Sequence, residues 1–180
     1  SDAYCGGIKN GKQLKAVVAG GSSVPVLPAH LILKTAAGEP RLMTYESLAD
    51  GGFATGTMLG SGGFIVMDED TSVVKNLWTF AHFYHHESCG QCSPCREGTG
   101  WMYRILNKIL NGKGEMKDID LLWNIQGNIE GKTICPLGDA AAWPVASSIR
   151  HFRSEFEAYI NNHGMKDVKH YYRLNNLQEA

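Results

Sequence analysis

No uninterrupted apolar run in this sequence approaches the ~18 residues that a membrane-spanning helix requires, so nothing in it reads as a transmembrane segment. Neither charge is in excess: 17 Lys and Arg stand against 18 Asp and Glu, for a formal net charge of −1. That balance excludes the basic footprint of a protein that grips nucleic acid or an anionic membrane surface. Residues 1–11 lack the basic start and apolar stretch of a secretory signal. The initiating Met is also missing, which favours a piece of a longer chain. G-x-G-x-x-G occurs nowhere, and the Gly60-Ser61-Gly62-Gly63 stretch does not complete it. No nucleophile–base–acid pattern supports hydrolysis, and there is no repeat or low-complexity segment.

What the sequence does have is enough apolar material for a core, 43% of 180 residues, in a length that suits one ordinary domain or two small ones. It has five cysteines, three of them within seven residues. A disulfide scaffold favours an even set spread over a short secreted chain, so this pattern points to a reducing compartment and a metal site.

The first third is rich in Gly and β-branched residues. Residues 15–19 (KAVVA) predict a short strand ending at Gly20-Gly21. The two prolines within residues 22–28 make that stretch a turn or an edge segment. Residues 31–33 form another apolar run, 42–48 suit a short helix, and Gly51-Gly52 and Gly60–Gly63 bracket a turn-rich stretch. Phe64-Ile65-Val66-Met67 predicts a strand stopped by Asp68-Glu69-Asp70. We therefore expect a small β-rich module over residues 1–70.

The character changes at Asp70. With Asp70 or Thr71 as its cap, a helix is expected to about His86, with Val73, Val74, Leu77, Ala81 and Tyr84 on one face. A second is expected from near Arg96, showing Trp101, Met102, Ile105, Leu106, Ile109 and Leu110, until Gly112 and Gly114 stop it. A third runs from Asp118 to near Gly131 on Ile119, Leu122, Ile125 and Ile129. A fourth starts at Asp139 and continues through Ile149, Phe152, Phe156 and Ile160 to about Asn162, with Pro144 either kinking it or lying in its first turn. Trp101 and Trp143 are expected in the core. The fold class expected is α+β, with the β-rich module followed by a four-helix bundle over residues 71–163 and a polar tail over 164–180.

The informative segment is Ser88-Cys89-Gly90-Gln91-Cys92-Ser93-Pro94-Cys95-Arg96. Its C-x2-C-x2-C run lets three thiolates reach different corners of a cubane cluster. Cys135, followed by Pro136, supplies the fourth ligand from a distant loop, the arrangement of bacterial ferredoxin-type [4Fe–4S] sites. Pro136 withholds an amide donor and fixes the chain direction there. Gly90 permits close backbone approach, and loop amides can donate to the sulfurs and tune the potential. A zinc site more often uses two C-x2-C pairs or one pair plus two histidines. His82, His85 and His86 lie just upstream and keep a Cys3His zinc site open, although a polar helix face accounts for them better. Arg96 either offsets cluster charge or guides a partner, or simply forms a surface salt bridge. Gly20-Gly21-Ser22-Ser23 is a weaker candidate, an anion cradle against the better-supported plain turn. Cys5 is expected to be a small apolar residue or a free thiol.

The run ESCGQCSPCREG, residues 87–98, resembles the signature of the flavoprotein subunit of respiratory complex I, NADH–quinone oxidoreductase. GGSSVPVL at 20–27, IVMD at 65–68, ICPLGDAAAWPV at 134–145 and IRHF at 149–152 support the likeness in order and spacing, so that it covers about residues 1–160. Related subunits of NAD-reducing hydrogenases and NAD-dependent formate dehydrogenases share the motif. The resemblance implies that Cys89, Cys92, Cys95 and Cys135 bind one [4Fe–4S] cluster, with Ser88, Gly90, Gln91 and Ile134 around it and Pro136 and Leu137 approaching a flavin. The cluster would take single electrons from a flavin mononucleotide (FMN) reduced by NADH and pass them to further clusters. It also implies a β-grasp-like module over residues 1–70. The FMN and NAD(H) site belongs to an N-terminal domain of that family with no counterpart in this sequence, so no catalytic residue is assigned and the chain alone is expected not to oxidise NADH. The partners implied are other peripheral-arm subunits, especially the small [2Fe–2S] subunit and the large iron–sulfur subunit, on the cytoplasmic face of a bacterial inner membrane or the matrix side in a mitochondrion. From a different class, the competing reading is a structural interaction module stapled by its metal.

Overall fold

The computed structural model describes residues 6–32, 44–50 and 57–164. Among these, three strands form one antiparallel sheet: β1, Leu14–Ala19; β2, Leu27–Pro28; and β3, Phe64–Asp68. The order is β2-β1-β3. Two short helices, α1 (Ala29–Ile32) and α2 (Tyr45–Asp50), accompany the sheet. Four longer helices follow: α3, Val73–Glu87; α4, Ser93–Leu110; α5, Met116–Ile129; and α6, Leu137–Asn161. The fold is α+β, as expected. The residues of the expected tail beyond Gly164, the Gly51-Gly52 turn, Leu33 and Cys5 lie outside the described residues.

β1 is central and buried on both faces, so it reads as a continuous apolar run rather than an alternating one. Ala16 and Val18 face the helices together with Met67, while Val17, Ala19 and Leu27 turn to the other side and meet Leu48 of α2. β3 is an edge strand and leaves Phe64 and Val66 half exposed. The Pro-containing stretch contributes only the two-residue edge strand β2, as its missing amides dictate. The Gly20-Gly21 turn closes against the Gly60–Gly63 turn. The amides of Gly20 and Gly21 both donate to the Gly63 carbonyl, at 2.9 and 2.7 Å, so they hold a turn and are not directed at an anion. A Cβ on Gly20, at φ +133°, would lie 2.5 Å from the Met58 carbonyl oxygen. Backbone cannot move aside as a side chain can, so Gly20→Ala is expected to cost about 1–3 kcal/mol, read as a lower urea midpoint.

α3 and α5 present the apolar faces their periodicity predicts, and every residue named on them is buried. α3 packs on α4 and α6, and α5 packs on α4 and α6. The core they enclose also takes in Ala16, Val18, Val24, Val26 and Met67, so one apolar core runs from the sheet into the helices across residue 70. Burying each large aliphatic side chain there contributes about 1.5–3 kcal/mol.

Several details depart from the sequence reading. Ser72, not Asp70 or Thr71, caps α3, because its hydroxyl accepts from the Lys75 amide at 3.1 Å. α4 starts at Ser93 rather than near Arg96, since Pro94 occupies its first turn, where the missing amide costs nothing. α5 starts at Met116, where Glu115 and Asp118 form a reciprocal capping box. Trp101 is 49% exposed, not core. It precedes Met102, and one residue rotates the side chain by about 100° off the buried face. Trp143 is half-buried, its indole N–H donating to the Glu130 carboxylate at 2.8 Å. Finally, α6 begins at Leu137, and Pro144 lies well inside it rather than in its first turn. The helical dihedrals break at Phe152 (φ −133°), not at the proline. The proline ring's fixed φ is itself helical, so the chain keeps helical dihedrals through Pro144 despite the lost amide hydrogen bond.

A polar cluster joins β1, the start of α3 and α6 beneath this surface. The Lys15 ammonium lies 3.0 Å from the Glu155 carboxylate and donates to the Thr71 carbonyl at 2.7 Å; both side chains are under one-tenth exposed. The other Glu155 oxygen accepts from the Ser72 hydroxyl at 2.9 Å and the Val74 amide at 3.2 Å. Burial pulls the Lys15 pKa down to about 8, against the opposing pull of Glu155.

Candidate metal centre

α3 ends because its chain leaves helical geometry at Ser88, whose amide still donates to the Tyr84 carbonyl at 3.1 Å. The backbone then turns tightly at Gly90, φ +80°, a conformation open to glycine. At once α4 begins, with Cys92 as its N-terminal cap residue; the Cys92 carbonyl accepts from the Arg96 amide at 2.8 Å. The three cysteines of the run therefore occupy different environments. Cys89 is exposed on the turn, Cys92 is half-buried at the cap, and Cys95 is buried in the first turn of α4.

Cys135 comes from the α5–α6 connection, just before Pro136 caps α6. The amide of Ile134 donates to the Cys92 sulfur at 3.4 Å, across 42 positions of sequence. The Thr133 hydroxyl donates to the Cys135 carbonyl at 2.9 Å, and the Gly131 amide donates to Asp139 at 2.7 Å. These bonds tie the loop to the start of α6 and hold its backbone at Ile134 against the Cys92 sulfur. All four are free thiols. Two helix N-termini, of α4 and α6, open at this place. A donor set of four thiolates on two loops suits an iron–sulfur cluster.

The remaining predicted residues fall as follows. The Ser88 hydroxyl lies 3.2 Å from the Cys95 sulfur. Gln91 is exposed. Ile134 is 85% exposed, an unusual position for so apolar a side chain. Pro136 is exposed, whereas Leu137 packs against the core. Arg96 does form a surface ion pair, with Glu97 at 2.9 Å. It also donates to the Gly90 carbonyl at 2.9 Å, holding the cysteine turn against α4. No sequence signal could have found that contact, because it depends on how sharply the turn folds back. His82, His85 and His86 lie on an exposed face of α3. His85 stacks on Tyr103, the His82 ring is tilted by 52° against the same tyrosine, and His86 meets Glu87 at 3.0 Å. Among the described residues, no three His, Cys, Asp or Glu side chains converge as a single ion would need. Beside the cysteine turn an open groove between α4 and α5 is lined by Pro94, Trp101, Ile105, Leu121 and Ile129.

The family described as the NADH-ubiquinone oxidoreductase-F iron-sulfur binding region matches residues 75–159. An F-type subunit of NADH-quinone oxidoreductase from Rhizobium meliloti (strain 1021) is 43% identical over 170 residues, covering 94% of this chain and 37% of that protein. Its counterpart in Rickettsia conorii (strain ATCC VR-613 / Malish 7) is 48% identical over 162 residues, 89% of this chain and 36% of that protein. Among solved structures, NAD+-reducing [NiFe]-hydrogenase in its H2-reduced state is 30% identical with a TM-score of 0.67, over 83% of this chain and 24% of that one. The chain belongs to the family of F-type subunits of NADH-quinone oxidoreductases and contains its iron–sulfur binding region. It spans a little over a third of the length of these curated relatives.

Proposed function

We propose that Cys89, Cys92, Cys95 and Cys135 bind one [4Fe–4S] cluster that relays single electrons in an NADH-oxidising enzyme. The observation that carries this reading is the Ile134–Cys92 contact, which brings the remote cysteine loop onto the three-cysteine run. When bound, the cluster supplies a one-electron acceptor and donor. The chain's own residues hold it at the helix ends, where exposed Cys89 and Cys135 leave it open to redox partners. Residues 71–163 carry the site, and residues 1–70 support it through the shared core. Electrons arrive from an FMN that NADH reduces, with Pro136 and Leu137 on the flavin side. They leave towards further clusters in the small [2Fe–2S] and large iron–sulfur subunits. The assembly works on the cytoplasmic or matrix side of the membrane. No described helix is long and apolar enough to cross a membrane.

A second reading is favoured by the solved-structure match: the same relay in an NAD+-reducing hydrogenase. The sequences of the neighbouring subunits separate the two.

The test is anaerobic iron and acid-labile sulfide analysis of the purified chain, with electron paramagnetic resonance before and after dithionite. About four irons and four sulfides, with a signal only after reduction, are expected. One zinc without sulfide, persisting after anaerobic reconstitution, would make the site a structural staple. We further expect the chain alone not to reduce ferricyanide with NADH; turnover at an enzymatic rate would contradict the placement of the flavin site elsewhere.

A further inference from the structure

We infer that the Ser88 hydroxyl is a hydrogen-bond donor to the Cys95 thiolate and raises the midpoint potential of the bound cluster; this rests on the ligand set proposed above. The hydroxyl is 3.2 Å from the Cys95 sulfur, and in the free thiol either atom can donate. Ligation removes that ambiguity. A thiolate ligand has no proton, so the only hydrogen between the two atoms is the one on Ser88 Oγ. The Gly90 amide approaches the same oxygen at 3.4 Å as a donor. It occupies a lone pair on Oγ and leaves the O–H directed to sulfur.

The contact lies where its electrostatic effect is large. Cys95 is only 7% exposed, so water competes weakly and the hydroxyl dipole acts through a low local dielectric. Ser88 is also fixed. It terminates α3, and its amide is held by Tyr84. Cys95 belongs to the first turn of α4, and its carbonyl accepts from the Thr99 hydroxyl at 2.8 Å. Donor and acceptor thus sit on the ends of two helices that pack on each other, and neither depends on a long, freely rotating side chain.

One-electron reduction of the loaded site adds one negative charge shared with the thiolates, and no proton moves. A donor aimed at Cys95 stabilises the more negative state more than the less negative one, so it favours reduction. Hydrogen bonds to cluster sulfurs are a recognised lever on potential. Among the described residues, the Ile134 amide on Cys92 is a second such donor, from the main chain. Ser88 is the one a side-chain substitution can remove.

The experiment is a dithionite titration of the reconstituted full chain, followed by electron paramagnetic resonance, for wild type, Ser88→Ala and Ser88→Thr. Ser88→Ala with unchanged iron and sulfide content should titrate at a more negative midpoint, while Ser88→Thr, which keeps a hydroxyl, should stay at the wild-type value. A Ser88→Ala midpoint equal to wild type overturns the inference. If Ser88→Ala fails to retain the cluster, the isosteric pair Ser88→Thr and Ser88→Val decides. A more negative midpoint for Val supports the donor role, and equal midpoints overturn it. Failure of the underlying ligand assignment looks different, because the wild-type chain itself would then carry no four-iron cluster.

Discussion

Replacing Cys92 with alanine is expected to abolish cluster binding, lowering iron and sulfide from about four per chain to near background and removing the dithionite-induced paramagnetic signal. In the proposed ligand set each thiolate would hold a separate iron, so loss of one would leave that iron open to solvent and to oxygen. Cys92 is the most informative of the four. It caps α4, and its sulfur accepts the Ile134 amide, so it joins the local run to the remote loop. Cys135→Ala should have the same effect on iron content, because no other described thiol can replace it. Conversely, Cys5→Ala should leave iron content unchanged. Full iron retention in Cys92→Ala or Cys135→Ala would remove that residue from the ligand set. Far-ultraviolet circular dichroism of the same samples separates loss of the cluster from loss of the helices.

Lys15→Met is expected to be among the most destabilising single changes away from the cysteines, at about 3–5 kcal/mol, because it leaves the buried Glu155 carboxylate without its counter-charge. The double variant Lys15→Met/Glu155→Leu should recover most of that loss. The desolvation of two buried charges roughly offsets their attraction, so removing both removes both terms. The downward pull of burial on Lys15 points the same way. It also fixes a sign with pH. Above about 8 the folded protein releases the Lys15 proton, whereas the unfolded chain keeps it to 10.5. The unfolded state therefore binds more protons in that window, and Lys15's contribution to stability rises with pH through it. Below about pH 8 both states are protonated, and the burial penalty is constant. Across about pH 7 to 10 the urea midpoint of wild type should rise relative to that of the double variant, so the margin of wild type widens. A constant difference would show that Lys15 titrates normally. Additive single-variant effects in the double variant would show that the two side chains do not interact.

Much of this protein was already written in its one-dimensional pattern. The apolar spacing of Val73, Val74, Leu77, Ala81 and Tyr84 fixes a helix face, because only a 3.6-residue period brings those side chains together. The spacing of Cys89, Cys92 and Cys95 points to metal chemistry for a similar reason: three soft ligands with two residues between each pair suit a multi-iron cluster. Charge balance and the absence of long apolar runs narrow the remaining function classes without any structure. Helix ends were less legible, since several neighbouring residues can cap. Ser72 wins over Asp70 and Thr71 because Glu155 and Tyr159, more than eighty positions away, hold its hydroxyl in place. The direction of Trp101 was likewise hidden, because aromatic content alone does not say which side of α4 meets its neighbours.

Contacts between distant segments were decided by the tertiary structure alone. Packing of α4 on α5 and α6 carries the 133–135 loop onto Cys92, and packing of α3 on α4 puts the Ser88 hydroxyl beside Cys95. The Lys15–Glu155 pair spans 140 positions, a separation over which no local propensity acts. Sequence by itself determined which elements form and which residue types carry the chemistry, since both follow from short-range periodicity and ligand softness. Tertiary packing decided which donors face the sulfurs and which charges are buried, since orientation and desolvation exist only once the helices meet.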